Sequence, residues 1–292
     1  MNAADLRRLA HGGAPVVLPG VWDALSARLA DDAGFPARFV SGYATAAARM
    51  AVPDLGYVGR ADILTTAREV CGLRGAPVIV DADTGYGNAL SAIRTARELH
   101  AAGAAGVVLE DQVWPKRCGH MEGKRVVPAD EWLASLRAVV DLRADGVDLF
   151  VIARTDARAA VSLTEAIERA RAAAALGVDA VFVEAPESEE ELLAIAEGTP
   201  GVARVANMVE GGRTPLLAAA RLHELGFTLI VSPLTGLFAA TAALRDAFTR
   251  LRADGPTGAM TPGMSFEEFN DIVRLSEHRR LERRYLEPEA SE

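Results

Sequence analysis

The stretch from Lys116 to His120 reads Lys-Arg-Cys-Gly-His and places one thiol among three basic side chains. Cationic neighbours stabilise a thiolate, so we expect the pKa of Cys118 to be lowered. A thiol of this kind can give or take a proton near neutral pH. Gly119 permits tight loop conformations, and the flanking Pro115 and Gly123 are typical of a mobile lid. The stretch therefore predicts a catalytic thiol on a closing loop.

Two pairs of carboxylates follow predicted strands. Asp81 and Asp83 lie in VDADTGYGN, and Glu110 and Asp111 end the next apolar run. Clustered carboxylates suit a hard cation such as Mg²⁺, which keeps several waters and takes few direct protein ligands. We expect Asp81 to bind the ion directly, with Asp83 and Glu110 holding metal-bound waters. The alternative interpretation is that the aspartates cap a strand and its following turn.

Further polar residues stand at other strand ends. Arg154, in IARTDAR, offers a two-pronged donor for a carboxylate, unless it pairs with Asp156 or Glu184. Glu184 and Asn207 are candidates for hydrogen bonds to a substrate hydroxyl or carboxylate, or to each other. The segment Ser41–Tyr43 offers backbone N–H groups and a hydroxyl to a second carboxylate.

Eight short apolar runs, with Ala-rich amphipathic stretches between most of them, must position these groups. Strands that alternate with helices predict parallel βαβ units, and eight such units predict an α/β protein with a (β/α)8 TIM barrel. The carboxyl ends of all strands meet at one face of a barrel, which carries the active site. The polar residues at these ends, expected around one pocket, are Ser41, Asp81, Glu110, Arg154, Glu184, Asn207 and Ser232.

The pattern changes after Pro256. We assign residues 1–255 to a barrel catalytic domain and residues 256–292 to a linker and a C-terminal helical extension. The stretch from Ser265 onward predicts one terminal helix, with Ser265 as its N-cap and Glu268 completing a capping box. Within the barrel, the long intervals after the second and fourth strands indicate functional loops.

Composition narrows the class of protein. The 292-residue chain is 50% hydrophobic and has a formal net charge of -9, which disfavours nucleic acid and anionic membranes as partners. Its two cysteines are no disulfide framework and fit a reducing compartment; Cys71 is interpreted as a packing residue. The N-terminus lacks the apolar core of a signal peptide, and no apolar run is long enough for a membrane span. We therefore expect a cytoplasmic protein, and the acidic surface does not exclude an anionic small-molecule substrate.

Five stretches, VDADTGYGN, EDQVWPKRCGH, ARTDAR, FVEAP and NMVEGGRTPL, together resemble the isocitrate lyase and phosphonopyruvate mutase superfamily over nearly the whole chain. KRCGH resembles the motif of the lyase branch, which acts on 2-methylisocitrate and 2,3-dimethylmalate. Carboxyphosphonoenolpyruvate phosphonomutases also carry PKRCGH and NMVEGG, so the chain resembles them closely as well.

The resemblance implies a modified barrel, a Mg²⁺ ion that Mn²⁺ can replace, and a homotetramer built from dimers that exchange their last helix. It also implies roles for individual residues. The expected magnesium site comprises Asp54, Asp81, Asp83 and Glu110. The expected substrate contacts are Ser41, Gly42, Tyr43, Asp81, Gly119, His120, Arg154, Glu184 and Asn207. The expected catalytic residues are Lys116, Cys118, His120, Arg154 and Glu184.

The implied reaction is cleavage of a 2-hydroxy dicarboxylate of the 2-alkylmalate, dimethylmalate or methylisocitrate type. A base removes the hydroxyl proton, Mg²⁺ and Arg154 stabilise the developing charge, and Cys118 protonates the departing carbanion. Where the methylisocitrate lyase pattern has an Arg, this chain has Leu237 or Phe238, which favours a smaller or more apolar dicarboxylate. The alternatives are a phosphonomutase, an oxaloacetate hydrolase or decarboxylase, and a non-catalytic binding barrel.

Overall fold

The computed structural model describes residues 2–255 and 264–286 of the chain. Eight parallel strands close into a barrel in sequence order, with β1 paired to β8. The predicted (β/α)8 barrel is thus confirmed. The strands are β1 Val16–Val21, β2 Arg38–Val40, β3 Val78–Asp81, β4 Gly106–Glu110, β5 Phe150–Thr155, β6 Ala180–Val183, β7 Ala203–Asn207 and β8 Leu229–Ser232.

Alternation along the strands produces two apolar layers, because successive side chains point to opposite faces. On β3, Ile79 lies in the cluster that fills the barrel, whereas Val78 and Val80 belong to the cluster between sheet and helices. Both faces are buried, which explains why the strands read as continuous apolar runs. The closed barrel fixes the side chains at its carboxyl ends on a rigid frame.

Helices alternate with the strands along the chain. The α-helices are α1 Ala3–Ala10, α2 Ala24–Asp32, α3 Gly42–Met50, α4 Arg60–Cys71, α5 Ala89–Ala101, α6 Ala129–Asp141, α7 Ala157–Ala160, α8 Leu163–Ala175, α9 Glu189–Gly198, α10 Ala219–Glu224, α11 Thr235–Asp254, α12 Phe266–Ile272 and α13 Leu275–Tyr285. Glycines that follow four of the helices adopt the left-handed conformation, with φ of 82° to 96°. They are Gly34, Gly103, Gly177 and Gly226.

The amino-terminal end of the barrel is closed by α1. Ala3, Leu6 and Ala10 of this helix lie in the cluster that fills the barrel. On the same helix, Arg7 pairs with Asp148 at 2.7 Å and with Asp179 at 2.7 Å. Access to the barrel interior is therefore from the opposite end, where the strands finish.

The two long intervals contain the predicted extra structure. Between β2 and β3 the chain forms both α3 and α4. Between β4 and α6 it forms a loop, residues 113–125, which we call the lid. The lid is pinned at its base by an antiparallel bridge between Gln112 and Val126. Both insertions lie on the catalytic face, because each follows the carboxyl end of a strand.

The chain divides into two compact units, Met1–Leu237 and Phe238–Glu292. Most of the predicted linker lies outside the described residues. Ser265 caps α12, and Glu268 completes the capping box, as predicted. The predicted single terminal helix is wrong, because Arg274 adopts a left-handed φ of 59° and separates α12 from α13. The exchange of this segment between copies stays a prediction.

Among residues 2–255 and 264–286, none of the helices combines the length and apolar character that a membrane crossing requires.

Candidate active site

A cavity opens where the barrel strands end. Nine of the predicted site residues line the cavity. The predicted residues that do not line it are Gly42, Asp83, Glu110, Lys116, Glu184 and Ser232. The lining residues are Phe39, Ser41, Tyr43, Asp54, Asp81, Cys118, Gly119, His120, Arg154, Phe182, Asn207, Val209, Val231, Pro233 and Leu234.

The segment Ser41–Tyr43 forms the amino terminus of α3. Ser41 is the N-cap, and its side chain accepts a hydrogen bond from the N–H of Ala44. The first N–H groups of a helix lack intrahelical partners and favour anions. A Cβ at Gly42 would lie 3.1 Å from Asp81 Oδ2, so α3 begins close against the acids. The predicted carboxylate site is therefore a helix amino terminus.

Behind Asp81, a lysine and two further acids form a buried ion cluster. Lys116 Nζ lies 2.8 Å from the carboxylate of Asp54 and 2.7 Å from Asp83 Oδ1. Tyr86 donates a hydrogen bond to Asp83 at 3.0 Å. Burial raises the pKa of Asp83 to about 6, with Asp81 and Asp54 adding to the rise and Lys116 opposing it. Lys116 therefore acts here as the counter-ion of the acids.

The four predicted metal ligands do not form a ready-made site. Within the part of the chain that the structure describes, no group of three or more His, Cys, Asp or Glu side chains is arranged to hold a metal ion. The donor chemistry nevertheless fits a hard cation. Glu110 Oε1 is buried without a hydrogen-bond partner among the described residues, and Asp81 lines the cavity. Mg²⁺ needs only one or two direct carboxylates.

Arg154 lies at the centre of three carboxylates. Its Nε is 3.0 Å from Asp156, 3.3 Å from Glu110 and 3.5 Å from Glu184. The guanidinium also lies over the ring of Phe182 at 5.3 Å. Burial opposes the charge, but the three carboxylates raise the pKa of Arg154 well above its usual range. The cavity therefore contains a fixed positive charge.

Glu184, His120 and Asn207 form one hydrogen-bonded group. The amide of Asn207 donates to Glu184 Oε1 at 3.2 Å, and His120 Nε2 lies 3.2 Å from the same oxygen. His120 Nδ1 accepts a hydrogen bond from the N–H of Arg213 at 3.0 Å, which leaves Nε2 to carry the proton. Burial would raise the pKa of Glu184, but Arg154 and His120 hold it well below its usual range.

The lid places Cys118 in the cavity wall. Its N–H donates to the carbonyl of Asp54 at 3.1 Å. Burial raises the pKa of the Cys118 thiol to about 11; the His120 N–H opposes this rise, and Asp54 and Glu184 add to it. The predicted lowering of this pKa is wrong, because Lys116 is paired with the acids. Cys118 is therefore a protonated thiol at neutral pH.

The close packing of the lid depends on Gly119. A Cβ at this position would lie 2.4 Å from Glu184 Cδ and 2.7 Å from Arg154 Nη2. Contacts below 3.0 Å require one of the groups to move, and both are held by buried ion pairs. Only glycine therefore allows the lid to occupy this position.

We expect Gly119→Ala to prevent closure and to lower kcat/KM about a hundredfold, because a displacement of about 1 Å has that effect on positioned groups. The barrel should stay folded, because neither of its two large apolar clusters contains a lid residue. Arg117→Ala, at an exposed position of the same lid, is the control. Unchanged kinetics in Gly119→Ala would show that the lid does not need this close approach.

The structure adds residues that the sequence prediction missed. Lys124 is buried, lies 2.8 Å from Asp156 Oδ1 and donates to the carbonyl of Gly119. Arg213 contacts the lid from the loop after β7. Lys124 stands only four residues beyond His120, so its place in the lid was a usable signal. Arg213 had no such signal beyond its glycine-rich context.

Comparison with known proteins finds relatives along nearly the whole chain. A profile of the family described as phosphoenolpyruvate phosphomutase matches residues 6–252. The chain is 48% identical to carboxyvinyl-carboxyphosphonate phosphorylmutase, chloroplastic, from Arabidopsis thaliana, over 92% of this chain and 80% of that protein. It is 42% identical to 2,3-dimethylmalate lyase from Eubacterium barkeri, over 97% of this chain and 98% of that protein.

Solved structures show the same similarity. Oxaloacetate acetylhydrolase in complex with 3,3-difluorooxalacetate has a TM-score of 0.93 and 34% identity, covering 98% of both chains. Phosphonopyruvate hydrolase in complex with oxalate and Mg²⁺ has a TM-score of 0.86 and 29% identity, covering 98% of this chain and 100% of that one. The chain therefore belongs to the phosphoenolpyruvate mutase and isocitrate lyase superfamily, and it is an enzyme of the lyase type found there.

Proposed function

We propose that this enzyme is a Mg²⁺-dependent carbon–carbon lyase that cleaves a 2-hydroxy dicarboxylate with small alkyl substituents into a keto acid and a carboxylate. The observation that carries the proposal is one small cavity lined by a helix amino terminus, a buried guanidinium and a protonated thiol. Two anion-binding groups and one proton donor are what this cleavage requires.

The two positive features suit the two carboxylates of the substrate. The amino terminus of α3 would bind the carboxylate next to the hydroxyl, as backbone N–H groups bind anions without a counter-ion. Arg154 would bind the other, because guanidinium and carboxylate pair through two parallel hydrogen bonds. Asn207 lines the cavity beside them and is the candidate polar contact for a further substrate oxygen.

The remaining wall is apolar and favours alkyl groups over a third carboxylate. Val209 and Leu234 line the cavity and share an apolar cluster with Leu237. No cation from this cluster is available to pair with an extra carboxylate. Burying a methyl or ethyl group there is favourable by roughly 0.8 kcal/mol per methylene, whereas an unpaired carboxylate would be penalised.

Asp54, Asp81, Asp83 and Glu110 would hold Mg²⁺ directly or through its waters, and Lys116 would offset part of the negative charge of this group. When bound, the ion would stabilise negative charge on the oxygens of the keto acid. The solved phosphonopyruvate hydrolase that holds oxalate and Mg²⁺ supports this assignment. The unpartnered oxygen of Glu110 supports it independently.

The chain's own groups would then move two protons. A carboxylate that lines the cavity takes the proton of the C2 hydroxyl, and the C2 oxygen becomes the keto oxygen. The electron pair of the C2–C3 bond passes to C3, whose charge spreads into the adjacent carboxylate held by Arg154. Cys118 gives its proton to C3, and the resulting thiolate regains a proton from solvent when the lid opens.

The test is a panel of 2-alkylmalates, 2,3-dimethylmalate, 2-methylisocitrate and oxaloacetate, read by release of keto acid. We expect turnover of a 2-alkylmalate or of dimethylmalate, loss of turnover with EDTA, and recovery with Mg²⁺ or Mn²⁺. Turnover of oxaloacetate alone would assign a hydrolase or decarboxylase instead. Failure of the entire panel would contradict the lyase proposal.

A phosphonomutase is the second candidate, because the 48% identical relative from Arabidopsis thaliana carries a phosphorylmutase name. Such a reaction forms a carbon–phosphorus bond, which the lyase panel does not detect. Incubation with carboxyphosphonoenolpyruvate, followed by phosphorus NMR, distinguishes the two. A new carbon–phosphorus resonance would assign the mutase reaction.

A further inference from the structure

The half of the lid that follows Cys118 is held by a residue outside the site, Arg213. Its N–H donates to His120 Nδ1 at 3.0 Å, and its Nε donates to the carbonyl of His120 at 3.4 Å. Its Nη2 lies 3.2 Å from Glu122 on the lid. One residue of the loop after β7 therefore contacts the lid at three points.

Gly212, which precedes Arg213, allows the same contact with the lid. A Cβ at Gly212 would lie 2.7 Å from His120 Nδ1, so only glycine lets the backbone approach the imidazole ring. This approach brings the N–H of Arg213 within reach of the ring. The main chain here thus selects the tautomer in which His120 donates to Glu184.

The second terminal nitrogen of Arg213 pairs with a residue of a barrel loop. Its Nη1 lies 3.2 Å from Glu187, which follows β6. Arg158, which follows β5, lies 2.7 Å from Glu187 and pairs with both oxygens of Glu191. An anchored chain of charges therefore runs from two barrel loops through Arg213 to Glu122 on the lid.

We propose that Arg213 is a positioning residue that latches the lid in its closed state and thereby places Cys118 and His120 in the cavity. Its side chain is 34% exposed, and Glu122 is 90% exposed, so the pairs are weak individually and break readily. That strength suits a lid that must open on each turnover. The latch concerns closure alone, and it holds whichever acid the enzyme cleaves.

The experiment measures lid opening without substrate. The protein is treated with iodoacetamide, and alkylation of Cys118 and of Cys71 is followed by peptide mass spectrometry. Cys71, at the end of α4, is the internal control for general loosening of the fold. We expect Arg213→Ala to accelerate alkylation at Cys118 about three- to tenfold and to leave Cys71 unchanged.

Matched variants test the mechanism. Arg221→Ala removes another exposed arginine whose partners, Glu189 and Glu224, lie off the lid, and it should change neither rate. Glu122→Gln should accelerate alkylation of Cys118 less than Arg213→Ala does. The double variant should be alkylated at the same rate as Arg213→Ala, because the two residues share a contact. Added salt should accelerate alkylation of Cys118 more in the unaltered protein than in Arg213→Ala, because salt screens the ion pairs that Arg213 makes.

Two results would overturn the latch. Equal alkylation of Cys118 in Arg213→Ala and the unaltered protein would show that the contact does not hold the lid. A parallel rise at Cys71 would show that Arg213 only stabilises the fold. Neither result depends on turnover, so both are distinguishable from failure of the lyase proposal.

Discussion

Replacing Cys118 with Ser should lower kcat by about a hundred- to ten-thousand-fold, the range that general acids contribute. The hydroxyl of Ser keeps the size and hydrogen bonding of the thiol but is a far weaker acid. Binding of oxalate with Mg²⁺ should change little, because Arg154 and the amino terminus of α3 are unaltered. Calorimetry for binding and keto-acid release for turnover give the two readouts.

The pKa of about 11 gives this prediction a pH signature. A proton donor must be protonated before the step, so the thiol form persists across neutral pH and is lost only as the pH approaches 11. We therefore expect no fall of kcat between about pH 7 and 9 from ionisation of Cys118. Cys71→Ala, whose thiol packs on the core, is the control and should keep full turnover. If Cys118→Ser turned over as fast as the unaltered protein, Cys118 would not be the proton donor.

The barrel was predictable because its signal is local and repeated. Seven of the eight predicted apolar runs end in a polar residue, and all eight runs became strands. Asp81, Arg154 and Asn207 line one cavity because parallel strands finish at one face. Their convergence required no knowledge of any side-chain contact.

The pKa of Cys118 was not predictable in this way. Three basic neighbours in the sequence suggested a thiolate, but Lys116 pairs with Asp54, which lies 62 residues earlier in the chain. His120 likewise contacts Glu184. Electrostatics depends on which partners the fold supplies, and sequence proximity does not reveal them. The same limit hid the contact between Lys124 and Asp156.

The break in the terminal helix shows a different limit. The capping box of Ser265 and Glu268 predicted the start of α12 correctly, because it is a local motif. The interruption at Arg274 has no proline or glycine to announce it. A left-handed arginine is uncommon, and periodicity alone predicted one continuous helix.

Arg154→Met should destabilise the protein by about 3–5 kcal/mol, because it leaves Glu110, Asp156 and Glu184 buried without their shared counter-ion. Arg154→Lys keeps the charge and should retain most of the free energy of unfolding, yet lose the two-pronged geometry and with it about a hundredfold or more in kcat/KM. Denaturant unfolding and kinetics together separate the two roles. Arg143→Met is the control, because Arg7 still pairs with Asp179 when Arg143 is removed.

The pH dependence separates lost charge from lost packing. In the unaltered protein Arg154 holds the pKa of Glu184 below its unfolded value, so Glu184 adds stability above that value and loses it as the pH falls. Without Arg154, burial raises the pKa of Glu110 further and opposes the low pKa of Glu184 with less to counter it, so the folded state binds more protons. The deficit of Arg154→Met should therefore shrink from pH 8 to pH 5. A packing defect would lower the free energy of unfolding by the same amount at pH 8 and at pH 5. Such a constant difference would contradict the electrostatic role of Arg154.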